Sequence, residues 1–293
     1  MRQKPIFLFF TILVITFFPY SAIAILSAPE VFVSSHALTQ ADTLLVVVKN
    51  QSAGISGRLG SVKMRFFRSE NNKDWIALVG MPVNKNPGTY NLVITIPGKA
   101  LFTKNIKVSK RNFKITTMPM TPELLKKGYT PNKIINTVRN EENKAINKVL
   151  NNIDLISYVN KPFIYPLSEI KIVGDYGDIR ASHNNKIQHL GADLKAPKNT
   201  FLYAVNDGKI TIIKNLPDYG NTAIINHGLG VYSLYLHLAE FKVKNGETVK
   251  QGDIIGLSGD TGYVTAPHLH FSIKIRGASV DPLKFIEATK TIY

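Results

Sequence analysis

"APHLHF", residues 266–271, sets two histidines one residue apart in a chain that has only 7. Side chains of an extended strand alternate faces, so His268 and His270 share one face and Leu269 takes the other. The remaining chemistry-bearing residues lie upstream. "QHLGADL" (188–194) places His189 four residues before Asp193, and "VYSLYLHL" (231–238) carries His237. By strict alternation His237 lies with Val231, Ser233 and Tyr235, opposite Tyr232, Leu234, Leu236 and Leu238. Imidazoles and a carboxylate suit Zn²⁺, and three such ligands with one open position make a catalytic zinc site. The spacing also sets a geometric requirement. Along one straight strand His189 and Asp193 would be about 13 Å apart, too far to share an ion. A helix is unsuited to "HLGADLKAP", which is short, holds a glycine and runs into Pro197. Gly191 is therefore expected to mark a bend that folds the two side chains together.

Around these residues the chain divides into unlike segments. Residues 1–24 have Arg2 and Lys4, an apolar run from Ile6 to Phe18 and then Ala22-Ile23-Ala24, the order of a secretory signal peptide. The apolar run is shorter than the ~20 residues that span a bilayer, so cleavage after Ala24 is the expectation, leaving no transmembrane segment. Residues 25–117 read as an N-terminal β-sandwich-like domain. "DTLLVVVKN", "SVKMRFF", "DWIALVG", "GTYNLVITI" and "FTKNIKVS" are short β-branched and aromatic runs separated by turn-formers. The segment 118–160 reads as a helical linker packed on a domain surface. "TPELLKK" and "TPNKIINTVRNEENKAINKVLNNIDLI" both open on a capping threonine followed by proline, and the apolar stripe of the second is interrupted at Glu141-Glu142. Residues 161–293 are again strand-rich and hold six of the histidines.

Composition narrows the function further. There is no cysteine, which excludes disulfides, thiol catalysis and cysteine–zinc sites. The net charge of +16 draws the chain toward polyanions. An exported protein whose positive charge is mostly lysine points to anionic envelope polymers rather than nucleic acid, which favours the arginine fork. His36, His183 and His227 read as structural or solvated. "VKNGETVKQGDIIGLSG" taken alone has the rhythm of a lipoyl-carrier hairpin, a reading that export and the surrounding histidines disfavour.

The conjunction of HxxxD, "LYLHL" and "PHLHF", in this order, resembles the M23 family of zinc metallopeptidases, the lysostaphin-like peptidoglycan endopeptidases. The resemblance covers roughly residues 163–286 and includes "YGDIR" (176–180), "YAVNDGKI" (203–210), "GNTAIINHGLG" (220–230) and "VDPLKF" (280–285). It departs at Ala266, where glycine is usual, and at "NTFLYA" (199–204); neither touches a ligand position. The resemblance implies a mainly β chain with an antiparallel β catalytic domain of the lysostaphin-like, duplicated hybrid type. It implies one Zn²⁺ per chain held by His189, Asp193 and His270, with His268 as general base and His237 stabilising the reacting carbonyl. The implied substrate is a peptide bond of peptidoglycan, met in the periplasm or outside the cell. A non-hydrolytic scaffold that activates another wall hydrolase is the alternative.

Overall fold

A computed structural model describes residues 30–51, 54–69, 73–151, 156–182 and 185–291. The expected signal segment and His183 lie outside the described residues. Among those described, no helix is long and apolar enough to cross a membrane.

Near the N-terminus a four-stranded antiparallel sheet and a five-stranded sheet enclose one core. The first contains Thr43–Val48 and Trp75–Gly80; the second contains Gly88–Thr95 and Phe102–Ser109. Leu44, Val46 and Val48 meet Leu92, Ile94, Ile106 and Val108 between them. Thr43–Val48 is buried at every position rather than at alternate ones. Its second face is covered as well, by the C-terminal helix Pro282–Thr289, which is why the strand reads as an unbroken apolar run. Lys284 reaches Asp42 at 2.8 Å and Arg111 reaches Asp281 at 2.8 Å, tying the two ends of the chain across this contact.

The C-terminal half is built on a ten-stranded sheet in which every pairing is antiparallel. Its centre runs Ala192–Lys195, His268–Ile275, Val231–Phe241, Gly220–Asn226. On one face Leu194, Ile225, Tyr235, Leu269 and Phe271 form the core with Phe285 and Ile286 of the C-terminal helix. Asp281 caps that helix by accepting from the Lys284 amide.

The other face is covered by the linker. Thr121 and Thr130 cap the helices Pro122–Lys126 and Pro131–Thr137, each with proline in the first turn. Ile146 and Leu150 of the helix Asn143–Leu150 then pack on Ile224, Tyr232, Leu234 and Leu236. The interruption at Glu141-Glu142 is a π-helical turn, Val138–Glu142. This wider turn leaves Glu142 buried, with its Oε1 accepting from the backbone amides of Asp218 (2.7 Å) and Tyr219 (3.1 Å). The polar gap in the apolar stripe is therefore an inward-facing anchor. Upstream, Ile115–Thr117 pairs in parallel with Ile179–Ser182, so the chain entering the linker extends a small sheet beside the C-terminal core.

Candidate metal centre

Two paired strands and the bend before one of them bring the site together. Ala192–Lys195 pairs with His268–Ile275 in a register that sets Asp193 opposite His270 and Lys195 opposite His268. His189 precedes the first of these strands, and the chain bends at Gly191 between them. A Cβ on Gly191 would collide with the His270 ring and the Ser272 hydroxyl, so only glycine permits the approach. The bend brings His189 Nε2 to 2.9 Å from Asp193 Oδ1, and His270 Nδ1 lies 2.8 Å from the same oxygen. The two imidazole nitrogens are 2.9 Å apart.

The hydrogen bonds behind these atoms fix what they can be. His189 Nδ1 donates to the Asp175 carbonyl at 2.8 Å, which leaves Nε2 with a lone pair. The Ser272 hydroxyl donates to the Leu190 carbonyl at 2.9 Å and is free to accept from His270 Nε2 at 3.1 Å, which leaves His270 Nδ1 with a lone pair. In these neutral tautomers two nitrogen lone pairs converge on the carboxylate oxygen, the arrangement an ion would use; without an ion, a proton on either nitrogen can bridge to Asp193 Oδ1 instead. Neighbours that fix the tautomer of a metal-binding histidine in this way are a recurrent feature of metal sites. Around an ion at ~2.0–2.1 Å, tetrahedral donors sit about 3.3 Å apart, so each pair has only to open slightly. The donor set therefore fits a zinc ion.

Charge supports the same arrangement. Burial opposes ionisation of Asp193, but His189, His268 and His270 outweigh it and hold the carboxyl well below the usual range. Its other oxygen, Oδ2, accepts from the Arg180 guanidinium at 2.6 Å. Burial, aided by repulsion from His189, pushes His270 down to about 4, which keeps it in the neutral, ligating form.

His268 and His237 stand beside this cluster. His268 Nδ1 donates to the Ala266 carbonyl at 2.8 Å, turning Nε2 toward Asp193 Oδ1 at 3.5 Å. Burial lowers the His268 pKa, but Asp193 more than reverses this and leaves it raised. His237 ring centroids lie 5.0 Å from His268 and 6.1 Å from His270.

The face expected for His237 is not the one it takes. Its φ is +66°, in the left-handed region, and the ladder with the neighbouring strand slips between Tyr235 and Leu238. This is a β-bulge. Leu234, Leu236 and His237 all line the site cavity, while Leu238 returns to the core with Tyr235. A non-glycine residue held there costs on the order of 1–3 kcal/mol, strain that clusters at functional sites. His237 Nδ1 donates to the Thr261 carbonyl at 2.9 Å, so in the neutral ring Nε2 is an acceptor. Burial, with His268 and His270 adding to it, lowers the His237 pKa well below its ordinary value. Donation from Nε2 to a developing oxyanion would thus require His237 to receive a proton first.

Two members of the site escape sequence reasoning. Ser272 sits two residues past His270 and so shares its strand face, a signal that "HLHFS" carries but that no motif flags. Arg180 is 13 residues from Asp193, and no local spacing links them.

Residues 187–282 match the model of Peptidase family M23. Peptidoglycan DD-endopeptidase ShyA of Vibrio cholerae serotype O1 is 43% identical over 96 residues, 33% of this chain and 22% of that protein. DD-carboxypeptidase/endopeptidase Mpg of Neisseria meningitidis serogroup B is 42% identical over 95 residues, 32% of this chain and 22% of that one. The matched stretch spans about a fifth of the length of these relatives. The crystal structure of a Pseudomonas aeruginosa protein assigned to peptidase M23 superposes with a TM-score of 0.55 at 23% identity. It covers 83% of this chain and 93% of that one, a likeness of fold.

Proposed function

We propose that this chain, which carries a domain of Peptidase family M23, is a zinc-dependent endopeptidase that hydrolyses peptide bonds of peptidoglycan stems or cross-links. The observation that carries the reading is the convergence of His189 Nε2, His270 Nδ1 and Asp193 Oδ1 within 2.9 Å, beside two further histidines. The similarity to peptidoglycan endopeptidases supports the choice of substrate.

His189, Asp193 and His270 would hold the ion, which when bound supplies Lewis acidity toward the scissile carbonyl and toward a water. The protein's own groups then manage protons and charge. With Nδ1–H held by the Ala266 carbonyl, His268 in its neutral form would accept the proton of the attacking water at Nε2, then deliver it to the leaving amine; the pull of Asp193 that raises its pKa also makes it the better base. His237, aimed by Thr261, accepts or relays a proton, and once protonated offers an N–H to the developing oxyanion. Arg180 fixes the Asp193 carboxylate so that Oδ1 stays turned toward the histidines. The reading includes export through residues 1–24 and action in the periplasm or beyond it. It also includes a basic surface that associates with anionic envelope polymers.

Mass analysis of purified sacculi digested by the zinc-loaded protein tests the proposal. New amino termini within stem or bridge peptides are expected, with one zinc per chain. His189→Ala should lose the metal and reduce turnover by roughly a thousandfold or more, the equivalent of several kcal/mol. Intact cross-links after digestion, or a variant that keeps full effect, would instead indicate a non-hydrolytic scaffold.

A further inference from the structure

A cavity of about 260 Å³ opens at His189, His237 and His270 and continues beneath the linker. Its far walls are apolar: Ile134, Val138 and Ile146 from the linker, Leu234 and Leu236 from the sheet. Along its floor runs the site face of the His268–Ile275 strand, where His270, Ser272 and Lys274 follow one another. Lys274 is out of character there. Its ammonium has no hydrogen-bond or ion-pair partner among the described residues, and burial pushes its pKa down to about 8.

The other cations lining the cavity are engaged. Arg180 is bound to Asp193, and Arg139 donates to the Lys186 carbonyl at 2.7 Å. The acid that also lines the cavity, Asp218, is pushed up to about 7 and offers little negative charge below neutrality. Lys274 is half-buried, so its ammonium keeps contact with water, but in a largely apolar cavity a ligand anion that pairs with it is screened less than on an open surface. Four residues of strand separate Lys274 from His270, roughly 13 Å. That is the reach of a few residues of extended peptide, or of a long side chain nearer the scissile bond.

We propose that Lys274 is a specificity-determining residue: it binds a free carboxylate of the peptide substrate, while the apolar walls receive the small aliphatic groups between that carboxylate and the scissile bond. This rests on the endopeptidase reading for its substrate class. It adds that substrates with the free acid at this position are preferred over those with the amide.

The test is equilibrium binding, measured separately from turnover. Synthetic stem peptides are compared with their carboxylates free, with the terminal carboxylate amidated, and with the side-chain carboxylate amidated. Wild-type protein should bind the free acid about tenfold or more tightly than one of the two amides, the scale of a charge-assisted hydrogen bond. Whichever amide loses affinity identifies the carboxylate concerned. Lys274→Met should erase that difference while binding the amide as wild type does. Its thermal midpoint should stay close to that of wild type, because half-buried Lys274 makes no hydrogen bond or ion pair with the described residues. Equal binding of acid and amides by wild type, or binding of none, overturns the subsite, and so does a Lys274→Met variant that still prefers the acid. Peptides bound with the acid preference but never cleaved would leave the subsite standing and remove the endopeptidase reading.

Discussion

His227 is buried and His270 partly so on the same sheet system, and burial pushes both to about 4. What separates them is how their nitrogens are used. His227 donates Nδ1–H to the Asp207 carbonyl at 2.8 Å, and its Nε2 meets the Ser233 hydroxyl at 2.8 Å, with Phe163 packed edge-on against the ring. Every lone pair and hydrogen has a protein partner, so the ring is part of the core. His270 spends Nε2 on Ser272 and turns Nδ1 toward two other electron-rich atoms. A lowered pKa does not separate a core histidine from a candidate ligand here; the unspent lone pair does.

Two substitutions sharpen this contrast. His227→Phe should cost about 2–4 kcal/mol in denaturant unfolding, since it leaves the Asp207 carbonyl and the Ser233 hydroxyl unpaired in the core. The folded protein should still bind one zinc and retain its turnover; loss of the metal would place His227 in the site after all. Ser272→Ala should fold normally but weaken zinc affinity by about 10–100-fold in a chelator competition, because His270 is then free to take the other tautomer. Unchanged affinity would mean that the tautomer is fixed some other way.

The smallest effect concerns the linker. Glu142 and Asp218 meet where the π-turn packs against the turn before Gly220–Asn226, and Glu142 Oε2 and Asp218 Oδ2 are buried with no hydrogen-bond partner among the described residues. Burial, then repulsion from Glu142, raises Asp218 from 3.8 to about 7, and burial likewise raises Glu142. A raised acid pKa means that the folded state holds its proton more tightly. The associated stability is complete below the unfolded value and is lost as pH rises through about 7. Asp218→Asn should therefore flatten the fall in stability between pH 5 and 8 and gain on the order of 1 kcal/mol at pH 8. Parallel pH profiles for variant and wild type would contradict this.

Much of the architecture could be read from local pattern. The capping threonines with proline in the first turn mark both linker helices, and the alternation in "HLHF" puts His268 and His270 on one face. The bend at Gly191 follows from the distance that a straight strand would impose. Other features could not be read this way. Glu142 looked like a break in an apolar stripe, because its partners, the amides of Asp218 and Tyr219, come from a loop more than seventy residues away. Strict alternation puts His237 on the wrong face because it has no term for a bulge, and nothing local to "LYLHL" announces one.

From its residues alone, then, the chain determined which side chains are available and which pairs must share a face, since the periods of strand and helix are local properties of the backbone. Only the folded molecule decided which lone pairs are left unspent, that Arg180 secures Asp193, and that Lys274 stands without a partner among the described residues. Those outcomes depend on hydrogen bonds and burial between segments far apart in sequence, and no local period encodes them.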